Sequence, residues 1–281
     1  MDVSTDIREF LTTRRARLKP EDVDLPTYGN KRRVAGLRRE EVALLAGISV
    51  EYYTRLERGN ATSASEDVLE GVARALRLDD AERAHLFDLV RTANNSSGPP
   101  RRRPSQERVR PTVQRVIDQI IAPAYVRNGR LDILAANTLG HSLYSPVFDD
   151  GVHVSNMARF IYLNRKASDF FVDWETAAND AVALLRAEAG RDPYDRRLSD
   201  LIGELSTRSD EFRVRWAAHN VKFHRTGTKE LNHPVVGRLT LSYESLELMN
   251  DGQRINIYTA EPESKSQEAL DLLASWSTVL S

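Results

Sequence analysis

The sequence contains no cysteine in its 281 residues, which excludes disulfide bonds, thiolate nucleophiles and zinc sites built on cysteine. Long apolar runs are also missing, since no stretch approaches the roughly 18 residues that a membrane-spanning helix needs. The chain begins Met-Asp-Val-Ser, without the basic and apolar stretches of a signal peptide. We therefore expect a cytoplasmic protein with no membrane partner.

Neither sign of charge is in excess, because 40 Lys and Arg residues balance 41 Asp and Glu residues. With 41% hydrophobic residues, a chain of this length predicts more than one compact domain and excludes wholesale disorder. The six histidines show no metal-binding spacing, and no nucleophile elbow or phosphate-binding loop is present. Tyr243 and Glu244, which could suggest acid–base chemistry, are expected on a sheet surface. We expect no catalytic residue, metal or cofactor.

A polar, breaker-rich stretch divides the chain. Residues 94–112 include Asn-Asn-Ser-Ser-Gly-Pro-Pro followed by Arg-Arg-Arg-Pro, a composition typical of a basic linker. It predicts an N-terminal domain over 1–93 and a second domain over 113–263. A C-terminal amphipathic helix over 264–281 would place Leu270, Leu273 and Trp276 on one face, against the sheet or a second chain.

The period of the apolar residues differs between the two halves. Before the linker it is three to four residues, which predicts an all-α domain of five helices near 6–18, 38–46, 50–57, 65–76 and 80–92. After the linker, 124–127 and 130–134 flank Asn128-Gly129 and predict a β-hairpin. Helical patterns follow over 155–220, including 174–188 and 210–219. Strands are then expected at 221–225, 230–231, 238–248 and 254–259, so the second domain should be α+β with an antiparallel sheet.

Residues 37–59 have the pattern of two short helices that meet at a glycine. Val42, Leu45 and Ala46 would form the inner face of the first helix, and Gly47 can adopt the positive φ that ends it. Ser49 is a good N-cap for the second helix. The second helix would turn Tyr53 and Leu56 inward and Val50, Glu51 and Arg55 outward, which is helix-turn-helix geometry.

In that geometry the second helix enters the major groove of DNA, with Arg55 near base edges and Arg38 and Arg39 on phosphates. The predicted DNA contacts are Arg38, Arg39, Ser49, Val50, Glu51, Tyr52 and Arg55, with the preceding cluster Lys31, Arg32 and Arg33. The alternative is an ordinary helical hairpin whose charges are merely solvated.

The motifs Arg-Arg-Glu-Glu-Val-Ala at 38–43 and Tyr-Tyr-Thr-Arg-Leu-Glu-Arg-Gly at 52–59 resemble the XRE superfamily of helix-turn-helix regulators, and its MmyB-like branch in particular. Asp-Ile-Leu-Ala-Ala-Asn at 132–137, Trp-Ala-Ala-His at 216–219 and His-Pro-Val-Val-Gly at 233–237 extend the resemblance. It implies a bacterial transcription regulator with a lambda-repressor-like DNA-binding domain and a PAS-like domain associated with fatty-acid-like ligands. Asn220 and Glu263 depart from the family pattern, at an acidic position and at a Pro-Gly-Ser position.

A candidate ligand-binding face lies on the helix predicted over 210–219. Phe212, Trp216 and His219 recur at helical spacing beside Arg213 and Arg215, where an acid headgroup could bind. The same pattern also fits a core tryptophan and a hydrogen-bonded structural histidine.

Three functions are open at this stage. The first is a ligand-responsive transcription regulator that binds an inverted-repeat operator as a homodimer and senses a small apolar or acyl molecule. The second is a protein-interaction module tethered to DNA without a small-molecule ligand. The third, an enzyme in the C-terminal domain, is disfavoured by the missing catalytic spacing.

Overall fold

A computed structural model describes residues 3–23, 34, 36–61, 64–94, 108–148, 155–219, 226–249 and 252–279. The chain forms two compact units. The first consists of Met1–Pro100, Arg186–Asp200 and Val214–Phe223, and the second of Arg101–Leu185, Leu201–Arg213 and His224–Ser281. Two segments of the predicted second domain therefore pack with the N-terminal helices.

The N-terminal part of the first unit is helical, as predicted. Its described residues form α1 (Val3–Arg17), a 3-10 turn (Pro20–Val23), α2 (Arg39–Ala46), α3 (Val50–Glu57), α4 (Glu66–Ala75) and α5 (Asp80–Asn94). Side-chain caps set the helix starts: the Ser65 hydroxyl accepts from the Val68 amide, and Asp79 and Glu82 accept from each other's amides. The core between the helices is closed by fully buried Phe10, Tyr53 and Leu86.

The remaining described helices begin at Pro111, inside the stretch predicted to be a linker. They are α6 (Pro111–Asp118), α7 (Thr138–Leu143), α8 (Ser145–Phe148), α9 (Met157–Leu163), α10 (Ala167–Phe170), α11 (Trp174–Arg191), α12 (Arg196–Arg208), α13 (Asp210–Ala217) and α14 (Lys265–Val279). The strands are β1 (Ala124–Arg127), β2 (Ile133–Ala136), β3 (Thr226–His233), β4 (Gly237–Leu248) and β5 (Gln253–Thr259). They form one antiparallel sheet in the order β2-β1-β5-β4-β3, which confirms the predicted α+β fold with an antiparallel sheet.

One face of the sheet is aromatic. Along β4 the side chains alternate, with Leu239, Leu241 and Tyr243 buried and the residues between them exposed. Tyr243 pairs in register with Tyr258 of β5. The prediction that Tyr243 lies on the sheet surface is therefore wrong, because the pleat turns it inward, whereas Glu244 is exposed as expected.

The β1–β2 hairpin is present, but its turn is not the predicted two-residue Asn-Gly turn. Strand β2 begins at Ile133, and Leu131 rather than Gly129 adopts a positive φ, of 66°. The Asn128 side chain closes the longer loop, since its Oδ1 accepts from the amides of Arg130 and Asp132, each at 3.0 Å. The strand predicted over 221–225 lies outside the described residues.

Helix α14 packs on α7 and β4, so its inner face is covered by its own unit. Leu270 and Leu273 are each 4% exposed, as their spacing predicts, whereas Trp276 is 48% exposed. The Ser266 hydroxyl accepts from the Thr240 amide at 2.9 Å, on the stretch of β4 that extends beyond its pairing with β5.

Candidate functional site

The turn between α2 and α3 has the geometry that the sequence predicts. Gly47 has a φ of 70°, and the amides of Gly47 and Ile48 donate to the carbonyls of Leu44 and Ala43. These two bonds form a Schellman motif, which ends α2 sharply. A Cβ atom on Gly47 would have no neighbour within 4 Å, so glycine is favoured by the positive φ and not by lack of space.

Helix α3 presents the predicted face to solvent. The Ser49 hydroxyl accepts from the Tyr52 amide at 3.1 Å and caps the helix. Tyr53 and Leu56 are buried, while Val50, Glu51 and Arg55 are exposed, which confirms the predicted orientation of these five side chains. The Arg55 guanidinium carbon lies 5.5 Å from the centroid of the Tyr52 ring.

The inner face of α2 differs from the prediction at one position. Val42 is fully buried, but Leu45 is 36% exposed, and Ala43 takes the second buried position at 1% exposure. The cause is the direction from which α4 packs. A Cβ atom on Gly71 of α4 would lie 2.7 Å from the Ala46 carbonyl oxygen, so the two backbones touch there and Leu45 falls at the edge of the contact.

A buried carboxylate connects three helices of the DNA-binding domain, and sequence reasoning missed it. Glu57, at the end of α3, is fully buried and accepts from Arg15 of α1 at 2.6 Å. It also accepts from the Nε of Arg39, at the start of α2. The available signal was an acidic residue at an inward position of α3. Arg39 therefore holds α2 against α3, although its side chain remains 46% exposed.

The remaining predicted DNA contacts are Arg38 and the cluster Lys31, Arg32 and Arg33. Arg38 is half-buried at the N-cap of α2, where its amide donates to Glu41 at 2.7 Å. Lys31, Arg32 and Arg33 lie outside the described residues.

The five residues of the predicted ligand-binding face are divided between the two units. Phe212 is fully buried in the second unit, with its ring centroid 5.1 Å from that of Tyr162 in an edge-to-face arrangement. Arg213 belongs to the same unit and pairs with Asp210 at 2.9 Å on the surface. The other three, Arg215, Trp216 and His219, belong to the first unit.

Trp216 and His219 meet around Arg186, at the end of α11. The Arg186 guanidinium carbon lies 3.9 Å from the centroid of the Trp216 ring. Its NH1 group lies 2.9 Å from Nδ1 of His219, whose Nε2 is 2.8 Å from a carboxylate oxygen of Glu9. This is the geometry of a hydrogen-bonded structural histidine. The five-residue face as a ligand site stays a prediction.

The protonation state of His219 follows from its surroundings. Burial, with the adjacent cations Arg186 and Arg14, lowers the pKa of His219 to about 4. Arg186 can only donate, so Nδ1 of His219 accepts and its Nε2–H donates to Glu9. His219 is thus neutral near pH 7.

A cluster of tyrosines lies inside the second unit, on the inner face of the sheet. The hydroxyls of Tyr125 and Tyr258 are 3.3 Å apart, and Asn256 donates to the Tyr125 hydroxyl at 2.9 Å. Tyr144 is fully buried, with its ring centroid 5.5 Å from that of Tyr258. Burial raises the pKa of Tyr144 well above its ordinary value. The Tyr144 hydroxyl is buried beside the Tyr258 side chain, which interacts with it.

Comparison with protein families joins these two regions to known domains. A model described as a helix-turn-helix domain matches residues 6–86. A model described as the MmyB-like transcription regulator ligand binding domain matches residues 109–273. The chain belongs to the MmyB-like transcription regulators. No curated protein matches it.

In this MmyB-like regulator the helix-turn-helix match covers α2 and α3 with the Gly47 turn, and the ligand-binding match covers the whole five-stranded sheet. It is thus a DNA-binding transcription regulator with a ligand-binding domain. None of the described helices has the length and apolar character needed to span a membrane. The described residues also include no group of three His, Asp or Glu side chains placed to hold a metal ion.

Proposed function

We propose that this regulator reads a specific operator with α3 and that its second domain senses a small apolar molecule of the acyl class, without catalysing a reaction. The observation that carries the first part is the rigid presentation of α3. Gly47 and Ser49 fix its entry and Glu57 fixes its end, so Val50, Glu51 and Arg55 project together from one exposed face.

We assign Arg55 of that face to base edges, and Arg38 and Arg39 at the start of α2 to phosphates. An arginine can donate two hydrogen bonds to guanine, which specifies sequence, whereas phosphate contacts position the protein. Arg39 would contribute its exposed portion while remaining bound to Glu57. One short helix reads few base pairs, so we also propose a homodimer on an inverted repeat.

The operator assignment is tested by selecting binding sites from a random DNA library with the full chain and with Arg55→Ala. Arg91→Ala is the matched control, because it removes the same charge from an exposed arginine on α5. Arg55→Ala should cost about 1 to 3 kcal/mol on the selected site and relax one base position, with random-sequence binding little changed. The same motif from Arg55→Ala and wild type would contradict the assignment.

An acyl ligand is supported by the chemistry of the ligand-binding domain. The tyrosine cluster offers apolar ring faces and buried hydroxyls, which suits a long chain with a polar end. The predicted face offers Arg213 and Arg215 for a carboxylate instead. In the predicted face, Trp216 is stacked on Arg186. The tyrosine cluster and the predicted face contain different residues, so a different variant should lose the ligand in each case.

The ligand is tested by melting the full chain with saturated fatty acids and acyl thioesters. A ligand that binds only the folded state adds about 2.7 kcal/mol at 100 times its dissociation constant. Tyr144→Phe removes only a hydroxyl and should reduce this gain if the tyrosine cluster binds the polar end, whereas Trp216→Ala should abolish it if the predicted face does. The ligand must also shift operator affinity. If it changes neither quantity, a DNA-tethered protein-interaction module becomes the better explanation.

A further inference from the structure

Two segments of the ligand-binding domain pack with the DNA-binding helices. Residues 186–200 and 214–223 fall inside the family match at 109–273, yet they belong to the first compact unit. They contain the last residues of α11 and the end of α13. Their contacts with α1 and α5 are charged and buried, which is rare unless each charge is compensated.

Arg186 caps the last turn of α13, and Arg14 binds a carbonyl two residues beyond the end of that helix. The Arg186 guanidinium donates to the Trp216 carbonyl at 2.5 Å, and Arg14 of α1 donates to the His219 carbonyl. The last carbonyls of a helix have no partner within the helix and carry partial negative charge. His219 ends this turn with a φ of 53°, a left-handed conformation that few residues other than glycine adopt.

The His219 side chain ties the same helix end to α1. Its neutral ring accepts from Arg186 at Nδ1 and donates from Nε2 to Glu9. Arg14 in turn lies 3.0 Å from Glu82 of α5, with both side chains less than 5% exposed. The contacts support one another, because separation would leave the buried guanidinium groups of Arg14 and Arg186 without their acceptors. We name Arg14, Glu82, Arg186 and His219 the arginine–histidine joint.

Close backbone approach accompanies these bonds. Gly190, in the last turn of α11, lies against the ring of His85 on α5. A Cβ atom on Gly190 would be 2.5 Å from two atoms of that ring, so no side chain fits there without movement. A contact of this kind is either made or broken, since a packed surface does not deform continuously.

Arg14 of the joint is followed in α1 by Arg15, which holds the end of α3. Neighbouring residues on a helix point about 100° apart, so Arg14 faces the joint while Arg15 faces α3. Arg15 binds both Glu57, at the end of α3, and the Leu37 carbonyl before α2. At the other end, α11 is one continuous helix of 18 residues whose first part, up to Leu185, belongs to the second unit.

We propose that the arginine–histidine joint is the element through which occupancy of the ligand-binding domain changes operator affinity. A ligand-induced shift of α11 reaches Arg186 along the helix, and Arg14 and Arg15 relay it to α3 through α1. Ligand binding can change operator affinity only if it changes the balance between two states, and the closed and opened joint are those states. This inference rests on the proposed function.

The test uses the absence of cysteine from the natural chain. In the double variant His85→Cys, Gly190→Cys, the new thiols are the only ones present. The Cβ position of residue 190 lies 3.7 Å from Cγ of His85, where the sulfur of a cysteine would sit, so a disulfide can form after a small adjustment. Oxidation then locks the joint, and reduction releases it.

The measured quantity is the ratio of operator dissociation constants with and without palmitate, for the full chain. Reduced double variant and wild type should give the same ratio, different from one. The oxidised variant should still bind palmitate and DNA, but its ratio should fall to one. An unchanged ratio after oxidation would overturn the proposal, and so would failure of the disulfide to form. A wild-type ratio of one would instead count against palmitate and the proposed sensor.

A second measurement needs no ligand. Arg186→Met removes the cap on α13, and Arg191→Met is the matched control, since it removes the same charge from the same helix, at an arginine that pairs with neighbouring Glu188. Amide hydrogen exchange in α1 and α3 should become severalfold faster in Arg186→Met and stay unchanged in Arg191→Met. Equal exchange in both variants would show that the joint is not coupled to α3, whatever palmitate does.

Discussion

Acidification should destabilise the first unit through two buried histidines. Burial, with nearby cations, lowers the pKa of His85 to about 3 and that of His219 to about 4, against 6.5 for an unperturbed histidine. The unfolded chain therefore binds protons at these sites more readily than the folded chain. Both contributions to stability are complete above pH 6.5 and are lost as the pH falls from there toward the folded pKa values.

The loss of stability can be calculated from the difference between the pH and the histidine pKa in the unfolded chain. At pH 5 each histidine is about 1.5 units below its unfolded pKa and still neutral in the folded protein, so each costs about 2 kcal/mol at roughly 1.4 kcal/mol per unit. Between pH 7 and pH 5 the two together should lower the free energy of unfolding by about 4 kcal/mol. That is a large part of the 5 to 15 kcal/mol typical of a folded domain.

The assay is urea denaturation followed by the fluorescence of Trp216, which belongs to the first unit, with Trp174 and Trp276 replaced by phenylalanine. His219→Asn and His85→Leu should each reduce the loss by about 2 kcal/mol. His141→Asn, which replaces an exposed histidine, controls for loss of an imidazole. If wild type and His219→Asn lost the same free energy between pH 7 and pH 5, the reasoning about buried neutral histidines would be refuted.

Four further outcomes are expected. Glu57→Gln should lower the free energy of unfolding by about 3 to 5 kcal/mol, measured in urea, because it leaves Arg15 without a counter-charge. Ser49→Ala should lower the free energy of unfolding by about 1 kcal/mol, whereas Ser49→Thr, which keeps a hydroxyl, should lower it much less. Equal stability of the alanine and threonine variants would contradict the capping role. Gly47→Ala should cost about 1 to 2 kcal/mol in thermal denaturation, since its φ is positive. DNA footprinting should show two half-sites about 10 base pairs apart, or a multiple of that, and a single protected half-site would refute the homodimer.

The DNA-binding helices could be predicted from the sequence because their signals are local. Ser49 and Gly47 mark the start of α3 and the end of α2 through the backbone geometry that each favours, and α3 was predicted with its observed bounds. Leu45 shows the limit of this reasoning. Periodicity identifies an apolar face on an eight-residue helix, but α4 decides which side of that face is covered.

The surroundings of the predicted ligand face could not be foreseen, because they depend on distant residues. Arg14 and His219 are 205 positions apart in the sequence, and no local sequence pattern predicts their contact. The tyrosine cluster is likewise assembled from strands β1 and β5 and the end of α7. In the hairpin, Asn-Gly favours a two-residue turn, yet the Asn128 side chain closes a longer loop through bonds that backbone propensity does not include.

The division of α3 into an anchored side and an open side has an evolutionary consequence. Tyr53, Leu56 and Glu57 are buried in the fold, whereas Val50, Glu51 and Arg55 are exposed. Substitutions at the three open positions are therefore nearly free of stability cost. New operator preferences can arise there by drift or by engineering, so paralogues that share the anchored residues can diverge in their target genes while keeping the same architecture.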